Sequence, residues 1–140
     1  MNCPFCNIYE KKERIIESKE HTFVILSNPR LLPGHLLVIP KRHIEKLSEL
    51  NEEERKEIFK TVIEYQEKII NKISKGCDIK QNYRPFLKQS NLKVDHMHFH
   101  LLPREFEDEL YKKSQFSERD IFKKVSDEEI EKSSKMFENE

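Results

Sequence analysis

Between residues 14 and 40, short apolar runs alternate with charged and turn-forming stretches. Arg14-Ile15-Ile16-Glu17 and Thr22-Phe23-Val24-Ile25-Leu26 read as strands parted by the polar Ser18-Lys19-Glu20-His21. Asn28-Pro29 and Pro33-Gly34 punctuate a loop, and His35-Leu36-Leu37-Val38-Ile39 is apolar enough for a buried strand that Pro40 ends. The period then changes. Asn51-Glu52-Glu53-Glu54 matches a capping box. Ile58, Phe59, Val62, Ile63, Ile69, Ile70 and Ile73 follow at helical spacing as one apolar stripe, and Gly76 suits a left-handed stop after it. Residues 78–84 read as a strand, 85–91 as a polar, basic connection, and 92–102 as a last strand stopped by Pro103. Beyond residue 104 the chain is strongly charged, with Ser126-Asp127-Glu128-Glu129 opening a helix that carries Ile130 and Phe137 on one side. There are no repeats and no long linker. Strands, one long helix, then further strands predict an α+β fold with an antiparallel sheet of about five strands and a helical C-terminal tail.

The last strand carries the chemistry. In Asp95-His96-Met97-His98-Phe99-His100-Leu101-Leu102, histidines alternate with apolar residues. A strand would place His96, His98 and His100 on one face, about 6.6 Å per step, while Met97, Phe99 and Leu101 enter a core. Half of the chain's 6 histidines fall in five residues, which argues against an idle surface strand. Two chemistries fit a row of imidazoles. One is a metal site, since imidazole suits zinc or copper. The other is nucleophilic catalysis, in which one ring nitrogen attacks phosphorus while the other is held by a carbonyl and neighbouring rings bind phosphate oxygens or move protons.

Cys3-Pro4-Phe5-Cys6 is half of a zinc site, which His43 and His96 could complete. Idle thiols and a redox pair are the alternatives. A redox C-x-x-C pair usually opens a helix after a strand, and no strand precedes Cys3. Cys77, after Gly76, reads as an idle or buried thiol.

Length and charge narrow the classes. At 140 residues the chain fits one domain, able to bury a real core without disulfides. With 26 basic and 26 acidic residues it generates no long-range field toward nucleic acid or membrane, so neither partner is expected and any phosphate affinity must be local. No apolar run approaches a membrane span, and Met1-Asn2-Cys3-Pro4 does not begin a signal peptide, which makes a cytoplasmic location the default.

Gly34-His35-Leu36-Leu37-Val38-Ile39-Pro40-Lys41-Arg42-His43, followed by His96-Met97-His98-Phe99-His100-Leu101-Leu102, resembles the histidine-triad (HIT) superfamily of nucleotide hydrolases and nucleotidyl transferases. The resemblance covers roughly residues 3–104, implying a HIT domain over 1–104 and a charged C-terminal extension over 105–140. It implies that His98 is the nucleophile attacking the α-phosphorus of a nucleotide substrate. His100 would assist charge and proton movement, and His35 would join that network. In zinc-bearing relatives, including galactose-1-phosphate uridylyltransferase, the corresponding ligands fall on Cys3, Cys6, His43 and His96, giving a closed structural zinc site. A polar residue about eight positions before the Pro-Gly histidine holds the ribose, which points to Ser27 or its neighbour Asn28; an Asn-Pro turn starter is the competing role for Asn28. Ile8, Phe23 and Ile25 could flank a base, though core packing competes for each. Where many relatives carry a Gly-rich segment ending Gly-Gln-(Ser/Thr)-Val, this chain has Arg84-Pro85-Phe86-Leu87-Lys88-Gln89-Ser90-Asn91-Leu92-Lys93-Val94. Arg84, Lys88, Gln89 and Lys93 could supply phosphate contacts by side-chain charge there, or form a solvated basic face. The expected partners are a nucleotide substrate and a second copy of the chain, since family members usually pair as homodimers. A non-catalytic nucleotide-binding or scaffold protein is the alternative from another class.

Overall fold

In the computed structural model, residues 3–12, 14–90, 93–114 and 121–138 are described. Helix α1 spans Pro4–Lys11; strands β1, β2 and β3 span Ile15–Ser18, Thr22–Leu26 and Leu36–Pro40; helix α2 spans Glu52–Lys72; strands β4 and β5 span Gly76–Gln81 and Phe99–Arg104; and helices α3 and α4 span Glu109–Ser114 and Asp127–Met136. The strands form one antiparallel sheet in the order β1-β2-β3-β5-β4. The fold is therefore α+β, as the sequence pattern predicts.

The near-continuous burial of β2 and β3 follows from helices on both faces of the sheet. On one face Ile58, Val62, Tyr65 and Ile69 of α2 pack on Val24, Leu36, Val38, Phe99 and Leu101. On the other, Phe5 and Ile8 of α1 pack on Phe23, Ile25, Leu37 and Ile39. Each fully buried aliphatic side chain contributes about 1.5–3 kcal/mol relative to exposure. The strand period therefore decides where His100 goes. It lies between Phe99 and Leu101, which face α2, so it points to the α1 face, paired across the sheet with Leu37 on one side and Lys80 on the other.

Several elements differ from the sequence reading. Cys3 to Cys6 opens a helix, with Cys3 as N-cap and Pro4 in the first turn. The first and third strands lie one residue later than expected, and the fourth runs Gly76–Gln81 rather than 78–84. Gly76 is not a left-handed stop. It is the first residue of β4, opposite Arg104, and α2 ends at Lys72. The positive-φ glycine is Gly34 (φ +83°), where an added Cβ would meet Pro103 Cγ at 3.2 Å and Ile73 Cδ1 at 3.3 Å.

The histidine strand, expected over 92–102, begins only at Phe99 and continues through Pro103 to Arg104; Leu92 lies outside the described residues. Pro103 sits past the last residue paired with β3, where the sheet has only β4 as neighbour, an edge-like position that proline tolerates. His96 and His98 are held in irregular chain before the strand. The α2 stripe also divides. Ile58, Val62 and Ile69 are buried, whereas Phe59, Ile63, Ile70 and Ile73 are 46%, 63%, 40% and 54% exposed. The capping box of Asn51 and Glu54 is present as expected, and the Ser126 hydroxyl caps α4 by accepting from the Glu129 N–H.

Candidate functional site

Two clusters share the α1 face of the sheet. In the first, Cys3, Cys6, His43 and His96 bring one donor atom each within 4.8 Å of all the others. Cys3 Sγ lies 3.2 Å from His96 Nδ1, and Cys6 Sγ lies 3.5 Å from His96 Nδ1 and 3.6 Å from His43 Nδ1. Tetrahedral zinc bonds of ordinary length imply an S···N separation of about 3.6 Å, so the donors stand at ligation spacing. The tautomer fits as well. His96 Nε2 donates to the Pro40 carbonyl at 2.8 Å, which leaves Nδ1 with its lone pair facing the thiols. Burial lowers His96 to about 4, keeping it neutral. Burial and the neighbouring Cys3 push the Cys6 thiol up to about 12. A half-buried thiol in that position becomes a thiolate only beside a cation, which is the chemistry of a metal ligand. The four residues could hold a metal ion with no open coordination position.

Local anchoring explains how distant segments meet. The Cys6 N–H bonds Cys3 Sγ at 3.3 Å in the first turn of α1. His43 follows Arg42, whose guanidinium holds the buried Glu54 of α2 at 2.7 and 3.0 Å and the Glu49 carbonyl at 2.6 Å. The Met97 N–H donates to the Ile44 carbonyl at 2.7 Å, tying the His43 segment to the His96 segment.

In the second cluster, His98 Nδ1 lies 2.7 Å from the His96 carbonyl. A carbonyl only accepts, so the His98 proton sits on Nδ1 and Nε2 carries a free lone pair. The Leu31 N–H donates to His35 Nδ1 at 3.1 Å, which puts the His35 proton on Nε2. His35 Nε2 then donates to His100 Nδ1 at 3.0 Å, so His100 is neutral with its proton on Nε2. Three fixed backbone and ring contacts thus set three tautomers, leaving one nucleophilic nitrogen beside one N–H donor. Burial lowers His35 to about 4 and His100 to about 3, with Lys80 contributing to both; burial also lowers His98. The rings of His98 and His100 have centroids 4.8 Å apart, and Phe5 meets His98 edge-on at 4.9 Å.

His98 and His100 sit on the rim of two cavities. One, of about 320 Å³, is walled by Phe5, Leu31, Leu37, Ser27, Asn28 and His35. The other, of about 410 Å³, is walled by Asn82, Tyr83, Arg84, Lys88 and Lys93. Of the residues expected to meet a nucleotide, Ser27 and Asn28 line the first cavity, the Ser27 hydroxyl donating to the Pro29 carbonyl at 2.8 Å. Lys93 lines the second, ion-paired with Asp95. Gln89 lines neither cavity; its Oε1 accepts from the Asp95 N–H at 3.0 Å and so braces the turn before the triad. Phe23 and Ile25 are core residues, while Ile8 borders a third cavity of about 690 Å³ beside Phe5.

The sequence reading does not single out Phe5, Leu31 or Lys80. Phe5 has a signal, an aromatic inside the cysteine pair. Lys80 has none, since its place beside His100 depends on strand register.

The HIT domain family model matches residues 9–107. An uncharacterised HIT-like protein of Methanocaldococcus jannaschii is 34% identical, over 73% of this chain and 78% of its own length. The adenosine 5'-monophosphoramidase of Schizosaccharomyces pombe is 30% identical, over 74% of this chain and 75% of its own. Among solved structures, a HIT-family member from Bacillus subtilis superposes with a TM-score of 0.74 at 27% identity, covering 97% of this chain and 94% of that one. A zinc-bound histidine-triad protein from Mycobacterium smegmatis gives a TM-score of 0.63 at 27% identity, covering 79% and 80%.

Proposed function

The chain belongs to the HIT domain family, and from that premise we propose that it is a nucleotide hydrolase or nucleotidyl transferase. It acts at the α-phosphorus of a nucleoside polyphosphate, dinucleoside polyphosphate or nucleoside phosphoramidate. The observation that carries the reading is the His98 imidazole, whose Nδ1–H is held by the His96 carbonyl at 2.7 Å while the residue lines two cavities.

In the first step the His98 Nε2 lone pair forms a bond to phosphorus, and the bond from phosphorus to the leaving group breaks, its electron pair leaving with that group. His98 becomes a nucleotidyl-imidazolium whose Nδ1–H stays bonded to the His96 carbonyl. The His100 Nε2–H donates to a phosphoryl oxygen as charge builds there. In the second step water, or a phosphate-bearing acceptor, attacks phosphorus. The N–P electron pair returns to Nε2, and the proton of water leaves to solvent. Ser27 and Asn28 serve the nucleoside side. Lys93, with Gln89 bracing its turn, serves the phosphate side.

Zinc held by Cys3, Cys6, His43 and His96 would supply a fixed crosslink between α1, the chain after β3 and the triad. Its role would be structural, and the zinc-bound relative supports it. The relative that is an adenosine 5'-monophosphoramidase supports the nucleotide class. We further read residues 1–104 as the HIT domain, 105–140 as an appended segment, and the working form as a cytoplasmic homodimer. None of the described helices is long and apolar enough to cross a membrane.

The test is substrate turnover by the wild type and His98→Ala, with mass spectrometry of the quenched reaction. We expect turnover to fall at least about 10³-fold while nucleotide binding persists, and a nucleotidyl adduct on wild-type His98. Wild-type rates in His98→Ala would remove the mechanism and leave the non-catalytic binding protein.

A further inference from the structure

We propose, on the footing of that nucleotidyl-transfer reading, that Lys80 is a further catalytic residue. Its ammonium holds a phosphoryl oxygen of the substrate while His98 Nε2 bonds to phosphorus.

The sheet fixes the position. Lys80 stands directly opposite His100 in the β4–β5 register, and the Cβ atoms of such a pair lie about 4.5–5.5 Å apart. Cys77 of β4 packs with the α2 core, so strand alternation puts Lys80 on the α1 face, which is also the face of His100. There it lines the cavity of about 320 Å³ with His35, His98 and His100. Among the described residues no aspartate or glutamate lines that cavity, and the Lys80 side chain has no hydrogen bond or ion pair. Asp78, the neighbouring acid on the same face of β4, is held by the Arg104 guanidinium at 2.7 Å. Lys80 is therefore an unneutralised cation beside the triad, carried by a strand. Arg30 lines the same cavity from the loop between β2 and β3. The rings distinguish the two cations. Burial is the main cause that lowers His35 and His100; Lys80 adds to the effect on both, and Arg30 adds to neither. Arg84, on the other cavity, acts on His100 alone and after Lys80.

The chemistry asks for such a cation. The contacts with Leu31, His35 and the His96 carbonyl leave the three rings neutral. Neutral rings offer a phosphoryl anion hydrogen bonds but no net charge, and an anion taken into a cavity without a counter-charge is unfavourable. As the bond from Nε2 to phosphorus forms, the bond to the leaving group breaks and its electron pair departs with that group. The equatorial oxygens hold negative charge throughout. The His100 N–H meets one of them and the Lys80 ammonium another. Lys80 keeps its proton and forms no covalent bond. A cation already in place needs no reorganisation as the transition state forms, which is how preorganised charge accelerates a reaction.

The experiment uses the full-length protein with diadenosine tetraphosphate and adenosine 5'-phosphoramidate, two nucleotides that differ in their leaving group. Lys80→Met should lower kcat about 10²-fold with both, and Lys80→Arg should recover part of the loss. Lys80 is exposed, so circular dichroism and metal content should stay at wild-type values. Calorimetry gives a readout apart from turnover. Lys80→Met should bind AMP about tenfold more weakly and bind adenosine as the wild type does. An unchanged kcat in Lys80→Met overturns the assignment. So does a loss confined to one of the two substrates, or an equal loss of AMP and adenosine binding. A wild type that turns over neither nucleotide removes the nucleotidyl-transfer reading instead, and the comparison of AMP with adenosine then judges Lys80 as an anion contact.

Discussion

The reactive nitrogen of His98 is defined by the opposite side of its own ring. Once the His96 carbonyl holds Nδ1–H, the lone pair on Nε2 cannot be lost to tautomerisation. His35 does the same for His100 from the neighbouring strand's edge, and its surroundings make a pH prediction. Burial first, then Lys80 and His98, lower its pKa from 6.5 to about 4. Above pH 6.5 the ring is neutral whether the chain is folded or not, so it imposes no penalty on the folded state. As the pH falls from 6.5 toward 4, the unfolded chain takes up a proton that folded His35 refuses, so stability falls across that window and levels off below it. Denaturant titrations at pH 7.5 and 4.5 should show a larger loss for the wild type than for His35→Gln. Equal losses would mean that His35 does not titrate as its surroundings dictate. Turnover should fall only as the pH approaches 4, where folded His35 itself takes up a proton, no longer accepts from Leu31 and the chain of tautomers reverses.

At the scale of elements, the metal cluster is a statement about α1. This helix has only 8 residues, too few to persist on propensity, and it holds Phe5 against His98. Cys3 both caps α1 and offers Sγ to His96, so Cys3→Ser should weaken metal binding by more than about 100-fold. It should lower the Tm, and mass spectrometry under native conditions should find the metal missing. Full stoichiometry in that variant would move the metal elsewhere. Gly34→Ala tests the turn into β3, and with φ +83° and contacts of 3.2 and 3.3 Å awaiting a Cβ it should cost about 1–2 kcal/mol by denaturation. A neutral result would mean that Pro103 and Ile73 give way freely.

What is legible in the sequence divides along the same line. Strand β2 is readable to the residue, and α2 by its capping box, because those signals are local. The cysteine pair and the histidine spacing are legible as chemistry, since few structural roles need them. Helix α1 is not, because its stability comes from the sheet and from His96, far away in sequence. The start of β5 is not, because His96 is drawn out of strand geometry toward the cysteines while its alternating neighbours still read as a strand. Gly76 misleads because glycine is read locally as a left-handed stop, whereas the residue pairs with Arg104, distant in sequence, as the first residue of a strand.

For the whole molecule, the surplus of the α2 pattern is the informative feature. The sheet needs one face of this helix, yet the sequence supplies apolar residues for more. Phe59, Ile63, Gln66, Ile70 and Ile73 follow one another at steps of four, three, four and three, the spacing of a seam between helices, and the four apolar ones are substantially exposed. With 26 charges of each sign, no long-range repulsion opposes self-association. A two-fold pairing of α2 against its counterpart would cover this seam with the same residues from each copy, as an isologous interface requires. Ile63→Glu combined with Ile70→Glu would place four carboxylates in that seam, two from each copy. Sedimentation velocity should then report a dimer for the wild type at micromolar concentration and a monomer for the double variant. Circular dichroism and metal content should remain unchanged, because neither side chain contributes to the buried face. A double variant that still sediments as a dimer would place the interface elsewhere. A wild type that stays monomeric at 100-fold higher concentration would leave the seam without a partner of its own kind.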